Sequence, residues 1–406
     1  MSFKNSAFWA IICNFLVSVI NILGLKVLSG VLDIDSYGQE LYLYSNSIII
    51  GSIFGLGVGK VVNEVQSTNG YYKDEFYKKV MKYSCTLVFF CVLIATILSV
   101  EISDILKVRP EQLIVASLIL SFYILDNCNR SFLIGRKMIK RASISFLIFT
   151  IIGWISAFIM YSVKFDSFFL KGMLVTMALS VAYNHLVIRS AGLSSKPYDF
   201  LSFSEVLFDK IVPSILSQLL GSIPQIIIST YLIVFYDASS VAVYVIAMYI
   251  FRAMLFIPSG IQRVMLPYLG EVNDNDKINF IKKNMLINFI ITLPFLIAVF
   301  VASDIISELF SFDVDSARNI FVYTVLAGCI SSIVAPVGQI MITMNRYYFS
   351  MFMNFVWAIL YLTLCYFSMI MGLHIEFIML SLTISYVVHA MISVNYLKRL
   401  KSEISN

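Results

Sequence analysis

The sequence has 406 residues, of which 59% are hydrophobic and only 13% are charged. A water-soluble protein of this length could not hide so much apolar surface, so the composition excludes a soluble domain and indicates a membrane protein with many spans. The net charge of +5 is spread over short connections and is not gathered on one soluble face, so no nucleic-acid partner is expected.

Twelve apolar segments are long enough to cross a bilayer, which takes about 20 residues of helix. All are predicted to be helices, because lipid offers no hydrogen-bond partners to any other open backbone structure. The predicted spans are residues 8–32, 41–62, 82–100, 112–134, 143–163, 169–189, 211–235, 241–265, 284–303, 318–343, 348–371 and 376–397. The sequence therefore predicts an all-α integral membrane protein with about 12 transmembrane helices.

The lysines and arginines predict the orientation of these helices. Most of the 29 fall in connections that share one side of the membrane with the N-terminus, and few fall on the other side. Positive residues mark the cytoplasmic side, so both termini are predicted to be cytoplasmic. No cleavable signal peptide is expected, because the first apolar run is too long for one.

Predicted helix one carries a polar stripe, because Asn14, Ser18, Asn21 and Ser29 share one face at helical spacing. Such a stripe favours either polar packing between helices or the lining of a cavity. Lys26 lies beyond the edge of the stripe and near the outer end of the span. There it either snorkels to the lipid headgroups or faces the cavity.

Predicted helix four contains two opposite charges, Asp126 and Arg130, at i,i+4 spacing. That spacing brings the two side chains together on one face of a helix. We favour a structural ion pair, and the alternative is a protonatable carboxylate that couples transport to an ion. Asp126 is therefore the candidate coupling residue.

The polar connection over residues 190–209 separates six predicted helices from six. We place the lobe boundary there, with an N-terminal lobe at 1–200 and a C-terminal lobe at 201–406. The ends of helices two and eight also match at an offset of half the chain, as GVGKVV from Gly57 and GIQRVM from Gly260. This pattern predicts two six-helix repeats in the same orientation around a central cavity.

Predicted helix seven has the clearest polar face of the twelve spans. Its members at helical spacing are Ser214, Gln218, Ser222, Gln225 and Ser229. Two glutamines on one face of a membrane helix favour a water-filled cavity over simple hydrogen bonding between helices.

The strongest functional signal is the stretch from Tyr244 to Pro267, which is long enough to span a bilayer yet carries Arg252 near its middle. An arginine at mid-membrane costs about 3 kcal/mol or more, so it is expected to face protein or water. Arg263 follows on the same face, and Pro258 and Gly260 are predicted to break the helix between the two cations.

The predicted cavity would hold cations for an anionic group and polar side chains for hydroxyl groups. Its candidate substrate-binding residues are Lys26, Lys60, Arg252, Arg263, Asn14, Asn21, Gln218 and Gln225. No nucleotide-binding motif occurs, and the six cysteines lie in apolar spans at unrelated spacings. The sequence thus predicts a transporter and not an enzyme, with no cofactor and no metal site.

Several short patterns resemble the Wzx-type O-antigen and polysaccharide flippases of the MOP exporter superfamily. They are the amphipathic first helix, Asp35-Ser-Tyr-Gly38, Gly55-Leu-Gly57, Val243-Tyr244 and the run from Ile257 to Pro267. The resemblance extends along almost the whole chain. It implies a protein of the bacterial inner membrane that flips an undecaprenyl-diphosphate-linked oligosaccharide, such as an O-antigen unit of lipopolysaccharide, to the outer leaflet. The implied partners are that polyprenyl-diphosphate-linked oligosaccharide, the lipid bilayer, and a glycan polymerase with its chain-length regulator.

Two other functions stay open at this point. A multidrug exporter of the same superfamily would share the fold but bind organic cations, which calls for buried carboxylates near the cavity. A membrane-embedded glycan polymerase would be an enzyme, and its site usually needs a larger outer loop than this sequence has. The cations of the predicted cavity therefore favour the flippase.

Overall fold

The computed structural model describes residues 3–29, 31–32, 34–67, 73–106, 108–191, 203–235, 244, 247–248, 250–309 and 314–405. The helices of the first half are α1 (Phe3–Ser29), α2 (Ile34–Ser67), α3 (Lys73–Ile97), α4 (Ser99–Leu106), α5 (Pro110–Gly135), α6 (Ile139–Ser162) and α7 (Phe168–Ser190). The second half contains α8 (Phe203–Val206), a π-helical turn (Leu207–Ile211), α9 (Val212–Phe235), α10 (residues 250–254), α11 (Phe256–Leu269), α12 (Asp274–Leu309), α13 (Val314–Thr343), α14 (Tyr347–Ile370) and α15 (Glu376–Ser405).

Ten helical stretches of the described chain are long and apolar enough to cross a membrane. Of the two other predicted spans, the first corresponds to the shorter apolar stretch Asn5–Asn21, and the eighth, residues 241–265, is described only in part. The all-α membrane architecture predicted from the sequence is confirmed.

The chain divides into two compact units, Met1–Gln218 and Leu219–Asn406, and the division falls inside α9. The lobe boundary predicted between residues 200 and 201 lies outside the described residues, so it stays a prediction.

In the first unit, α2 packs along α5, α6 along α7, and α1 along α6. Trp154 of α6 and Phe169 of α7 lie in its core with their ring centroids 5.4 Å apart, and both side chains are buried. Such an aromatic pair adds roughly 0.5–1.5 kcal/mol beyond the burial of its area. The Trp154 indole N–H also donates to Asn21 Oδ1 of α1 over 3.0 Å, so this one side chain joins three helices.

In the second unit, α13 packs against both α12 and α15, and α14 packs against α15. The centroid of the Tyr386 ring of α15 lies 5.2 Å from that of Trp357 of α14 and 5.8 Å from that of Phe251 of α10. Since Phe251 directly precedes Arg252, this aromatic cluster anchors the helical segment that carries the mid-span arginine.

Corresponding helices of the two units are buried to similar degrees. The spanning parts of α3 and α12 each have only 11% of their residues buried inside the protein, whereas α5 has 50% and α13 has 61%. Exposed apolar side chains such as Phe89 and Val301 on α3 and α12 suit contact with lipid, which is as apolar as they are. Two six-helix repeats would produce this agreement.

The connection predicted between helices two and three is mostly helical. The predicted spans 41–62 and 82–100 leave residues 63–81 as a connection, but α2 extends to Ser67 and α3 begins at Lys73. The helices accommodate the two buried carboxylates because each is paired inside the protein, Asp74 with Arg136 and Glu64 with Lys210.

Candidate functional site

Arg252 lies on α10 with its side chain exposed, although its neighbours Phe251 and Met254 are buried. Its Nη2 atom donates a hydrogen bond to Gln225 Oε1 on α9 over 3.2 Å. Both residues were predicted to bind substrate, and the structure brings them together. A guanidinium with exposed donors suits an oxyanion, because its planar fork can bind two oxygens at once.

The polar face of α9 borders open space. No described atom lies within 4 Å of the point that a Cβ would occupy at Gly221. Gln218, Ser222 and Gln225 share that face at helical spacing, and all three are half-buried. The helix continues through Pro224 without a break, so the face stays continuous up to the contact with Arg252.

The helix that carries Arg252 breaks at Leu255, just before the predicted break at Pro258 and Gly260. Proline lacks an N–H and its ring collides with the carbonyl four residues earlier, which belongs to Met254. A new helix, α11, therefore starts at Phe256, with Pro258 in its first turn, where proline is tolerated.

Lys60 lies near the predicted cytoplasmic end of α2 and is half-buried. Gly57 and Glu64 share its face of the helix, at i−3 and i+4. Within the described chain, no residue forms an ion pair or a hydrogen bond with Lys60. It is therefore a half-buried cation whose charge is available to an anion.

The other predicted site residues are less completely described. The side chains of Lys26 on α1 and Arg263 on α11 lie outside the described part of the structure. Asn14 is half-buried on α1. Asn21 accepts the hydrogen bond from Trp154, so its amide oxygen contributes to the packing of α1 on α6.

The Asp126 carboxylate is surrounded by partners. Arg130 Nε lies 2.7 Å from Asp126 Oδ2. The Ser180 hydroxyl and the Asn184 amide of α7 donate to Oδ1 over 2.8 Å and 2.9 Å. The Arg130 guanidinium also covers the Phe146 ring at 4.3 Å from its centroid. The predicted i,i+4 contact is present and joins three helices of the first unit.

Sequence reasoning missed a set of charges at the predicted inner end of the first unit. Lys210 Nζ lies 3.2 Å from Glu64 Oε2, and Arg136 Nε donates to Gln66 Oε1 over 2.9 Å. Glu64 is buried, and it lies just beyond the predicted second span. Its i,i+4 distance from Lys60 was a signal that this face of α2 carries charge further along the helix.

Glu40 is a second residue that sequence reasoning missed. It is buried on α2 before the spanning stretch Asn46–Ser67, and its Oε2 accepts the backbone N–H groups of Phe169 and Leu170 over 3.1 Å and 3.2 Å. The carboxylate thereby caps the N-terminus of α7 from another helix. Burial raises the pKa of the Glu40 carboxyl above its ordinary value, although these hydrogen bonds oppose the shift.

Comparisons with known proteins support the fold. No protein-family model and no curated protein matches the sequence. An outward-facing multidrug resistance MATE family transporter of the MOP superfamily matches with a TM-score of 0.84 at 14% identity, over 100% of this chain and 97% of that one. A MOP superfamily transporter from Pyrococcus furiosus matches with a TM-score of 0.79 at 15% identity, over 100% and 97%. The polarity of its binding pocket is described as reversed, which suggests a different function for it.

The chain has the fold of a MOP-superfamily transporter. This likeness confirms the prediction of about 12 transmembrane helices in two six-helix repeats. The likeness also agrees with a multi-pass membrane protein, since the matched structures are those of transporters. Identities of 14% and 15% establish the fold, and the substrate has to be argued from the residues.

Proposed function

We propose that the protein flips an undecaprenyl-diphosphate-linked oligosaccharide from the cytoplasmic to the outer leaflet of a bacterial inner membrane. The observation that supports this most directly is Arg252. It is an exposed cation near the middle of a predicted span, bonded to Gln225 beside the open polar face of α9. A diphosphate offers the matching charge, and a glycan offers hydroxyl groups to the polar face.

The electrostatic reason is that neither charge is stable alone in hydrocarbon. An unpaired arginine at mid-membrane costs about 3 kcal/mol or more. Two unit charges 4 Å apart attract by about 4 kcal/mol at an effective dielectric constant of 20. Pairing the diphosphate with Arg252 therefore offsets a cost of similar size, and this would let a charged headgroup pass the bilayer.

The proposed path follows the predicted cations from the inside outward. The diphosphate is attracted by Lys60 and Arg263 at the inner mouth and passes to Arg252 and Lys26. The lipid tail stays in the bilayer while the two repeats rock to open on the other side. Outside, a glycan polymerase with its chain-length regulator would receive the unit.

Two energy sources suit this movement. An inside-negative potential favours outward movement of negative charge by about 2.3 kcal/mol per charge per 100 mV. Ion coupling through Asp126 is the alternative, and the partners Arg130, Ser180 and Asn184 would then have to release the carboxylate when it takes up a proton.

Export of organic cations is the second candidate function, because one structural neighbour is a multidrug resistance transporter. Such a substrate would be repelled by Arg252 and would need an accessible carboxylate instead. A glycan polymerase is the third candidate, and as an enzyme it would change the length of the glycan without moving the lipid-linked unit.

The test is complementation in a host from which the gene has been deleted. Wild type, Arg252→Lys and Arg252→Ala are compared, with surface glycan and lipid-linked units inside as the measurements. We expect lysine to restore the glycan and alanine to leave undecaprenyl-linked units on the inner side. Arg189→Ala, which removes an exposed arginine near the end of α7, is the matched control and should complement fully.

The other outcomes identify the other functions. Full complementation by Arg252→Ala would remove the central residue of the proposed mechanism. Surface glycan that is present but short in the deletion strain would indicate a polymerase. An intact glycan in the deletion strain together with increased drug sensitivity would indicate an organic-cation exporter.

A further inference from the structure

The inner end of α2 and the start of α9 touch at two points on one face of α2. At Gly57 the α9 backbone approaches so closely that a Cβ would lie 2.8 Å from Ile215 Cα. At Glu64 the carboxylate oxygens lie 3.2 Å and 3.3 Å from Lys210 Nζ. The two points are about 10 Å apart along α2, at a rise of 1.5 Å per residue. Together they fasten α9 to α2 on the predicted cytoplasmic side.

Lys60 lies between the two contacts on the same face. Lys210 is paired with Glu64, and Lys60 is a second cation one turn earlier on this face of α2. Glu64 is buried, whereas 22% of the Lys210 side chain is exposed, so an anion from the cytoplasm can reach the lysine. The turn that holds Lys210, Leu207–Ile211, is π-helical, a geometry that is rare and is often found at functional sites.

We propose that Glu64 and Lys210 form a latch that closes the inner end of the α2–α9 contact, and that an anionic headgroup opens it by replacing the Glu64 carboxylate on Lys210. Lys210 is then a binding residue of the predicted inner mouth. The headgroup part of this inference rests on the proposed function, and the latch itself rests on the geometry alone.

The exchange favours a diphosphate for a physical reason. A diphosphate carries more negative charge than one carboxylate, so it competes well for Lys210. The displaced Glu64 then turns to water. A neutral or cationic compound cannot replace the carboxylate, so the latch would stay closed to it.

The test measures access to the contact from the cytoplasmic side. Ser214, which is buried on α9 one turn beyond Lys210, is replaced by cysteine. The exposed Cys85 and the half-exposed Cys91 are replaced by serine to lower the background. Inside-out vesicles are treated with a membrane-impermeant maleimide, and the rate of labelling at position 214 is measured with and without inorganic pyrophosphate.

We expect slow labelling of the otherwise unchanged protein and labelling about fivefold faster in Glu64→Gln, since a partly buried ion pair of this kind is worth about 1 kcal/mol. Exchanging the charges, with Glu64→Lys and Lys210→Glu together, should restore slow labelling. Pyrophosphate should accelerate labelling when the latch is intact and have no effect in Lys210→Gln. Asp74→Asn, which breaks the ion pair of α3 with Arg136 just after α5, at the same end, is the matched control and should label at the starting rate.

A second variant tests the latch without changing a charge. In Gly57→Ala the new Cβ would meet the α9 backbone and should also speed up labelling, whereas Gly221→Ala, on the open face of α9, should not. If neither Glu64→Gln nor Gly57→Ala changes the labelling rate at position 214, the latch is overturned. If Glu64→Gln raises the labelling rate but pyrophosphate does not, the role of the anion is overturned.

These results are independent of the glycan assay. A latch that behaves as expected in a protein whose deletion leaves the surface glycan intact would disprove the proposed function and leave the latch standing. If surface glycan depends on Arg252 but Glu64→Gln leaves the labelling rate unchanged, only the latch is disproved.

Discussion

Asp126→Ala should destabilise the first unit strongly. The carboxylate is 2% exposed, and it is the ion-pair partner of Arg130, whose side chain is 11% exposed. Removal of one member of a buried pair costs about 3–5 kcal/mol, because the other charge is left without compensation. For a unit of this size each kcal/mol lowers the unfolding temperature by about 2–4 °C, so a decrease of roughly 10 °C is expected.

The double variant Asp126→Leu with Arg130→Met should recover most of this loss. It removes both charges, and an apolar pair of similar volume is often as stable as a buried ion pair. Ser180 and Asn184 would each lose a hydrogen-bond acceptor, which leaves a residual cost of about 1–2 kcal/mol. Thermal unfolding of the purified protein in detergent measures Asp126→Ala beside a complete cycle of wild type, Asp126→Leu, Arg130→Met and the double variant.

Complementation then separates the two interpretations of Asp126. If the pair is structural, the double variant restores surface glycan together with stability. If Asp126 takes up a coupling proton, the double variant is stable but does not transport. An Asp126→Ala protein that unfolds at the wild-type temperature would refute the argument from burial.

Two further predictions concern residues on the predicted outer side. Trp154→Phe and Asn21→Ala should each lower the free energy of unfolding by roughly 0.5–1.5 kcal/mol, because both remove the same hydrogen bond. A transport defect in Asn21→Ala alone would show that Asn21 also contacts substrate. Because burial raises the pKa of the Glu40 carboxyl, the folded protein holds this proton more tightly than the unfolded chain, and stability should fall as pH rises from the ordinary carboxyl pKa to the raised one. Glu40→Gln should flatten that decrease in unfolding temperatures measured from about pH 4 to 7.

The helices and the mid-span arginine were predictable because their signals are local. Apolar length alone predicts a membrane helix, since lipid leaves the backbone no alternative. Arg252 and Gln225 stand out as polar residues inside apolar runs, and the energetic cost of such a position implies a partner or water. Their contact joins two helices that are adjacent in sequence, which is the arrangement that sequence reasoning handles best.

The charges at the predicted inner end were not predictable, because their role depends on residues that are distant in the sequence. Glu64 and Lys210 are 146 residues apart, and nothing near either one indicates the other. Hydropathy falls where the charges begin, so the second span was predicted to end at residue 62. The helix continues to Ser67 because the protein itself, and not water, compensates its charges.

The buried carboxylates bear on the choice between an anionic and a cationic substrate. Within the described chain, the buried carboxylates are those of Glu40, Glu64, Asp74 and Asp126. Each is engaged by the protein, respectively by backbone N–H groups of α7, by Lys210, by Arg136 and by Arg130. An organic cation would have to displace one of these partners. A cationic substrate would therefore bear a cost of displacement that the proposed anionic substrate does not.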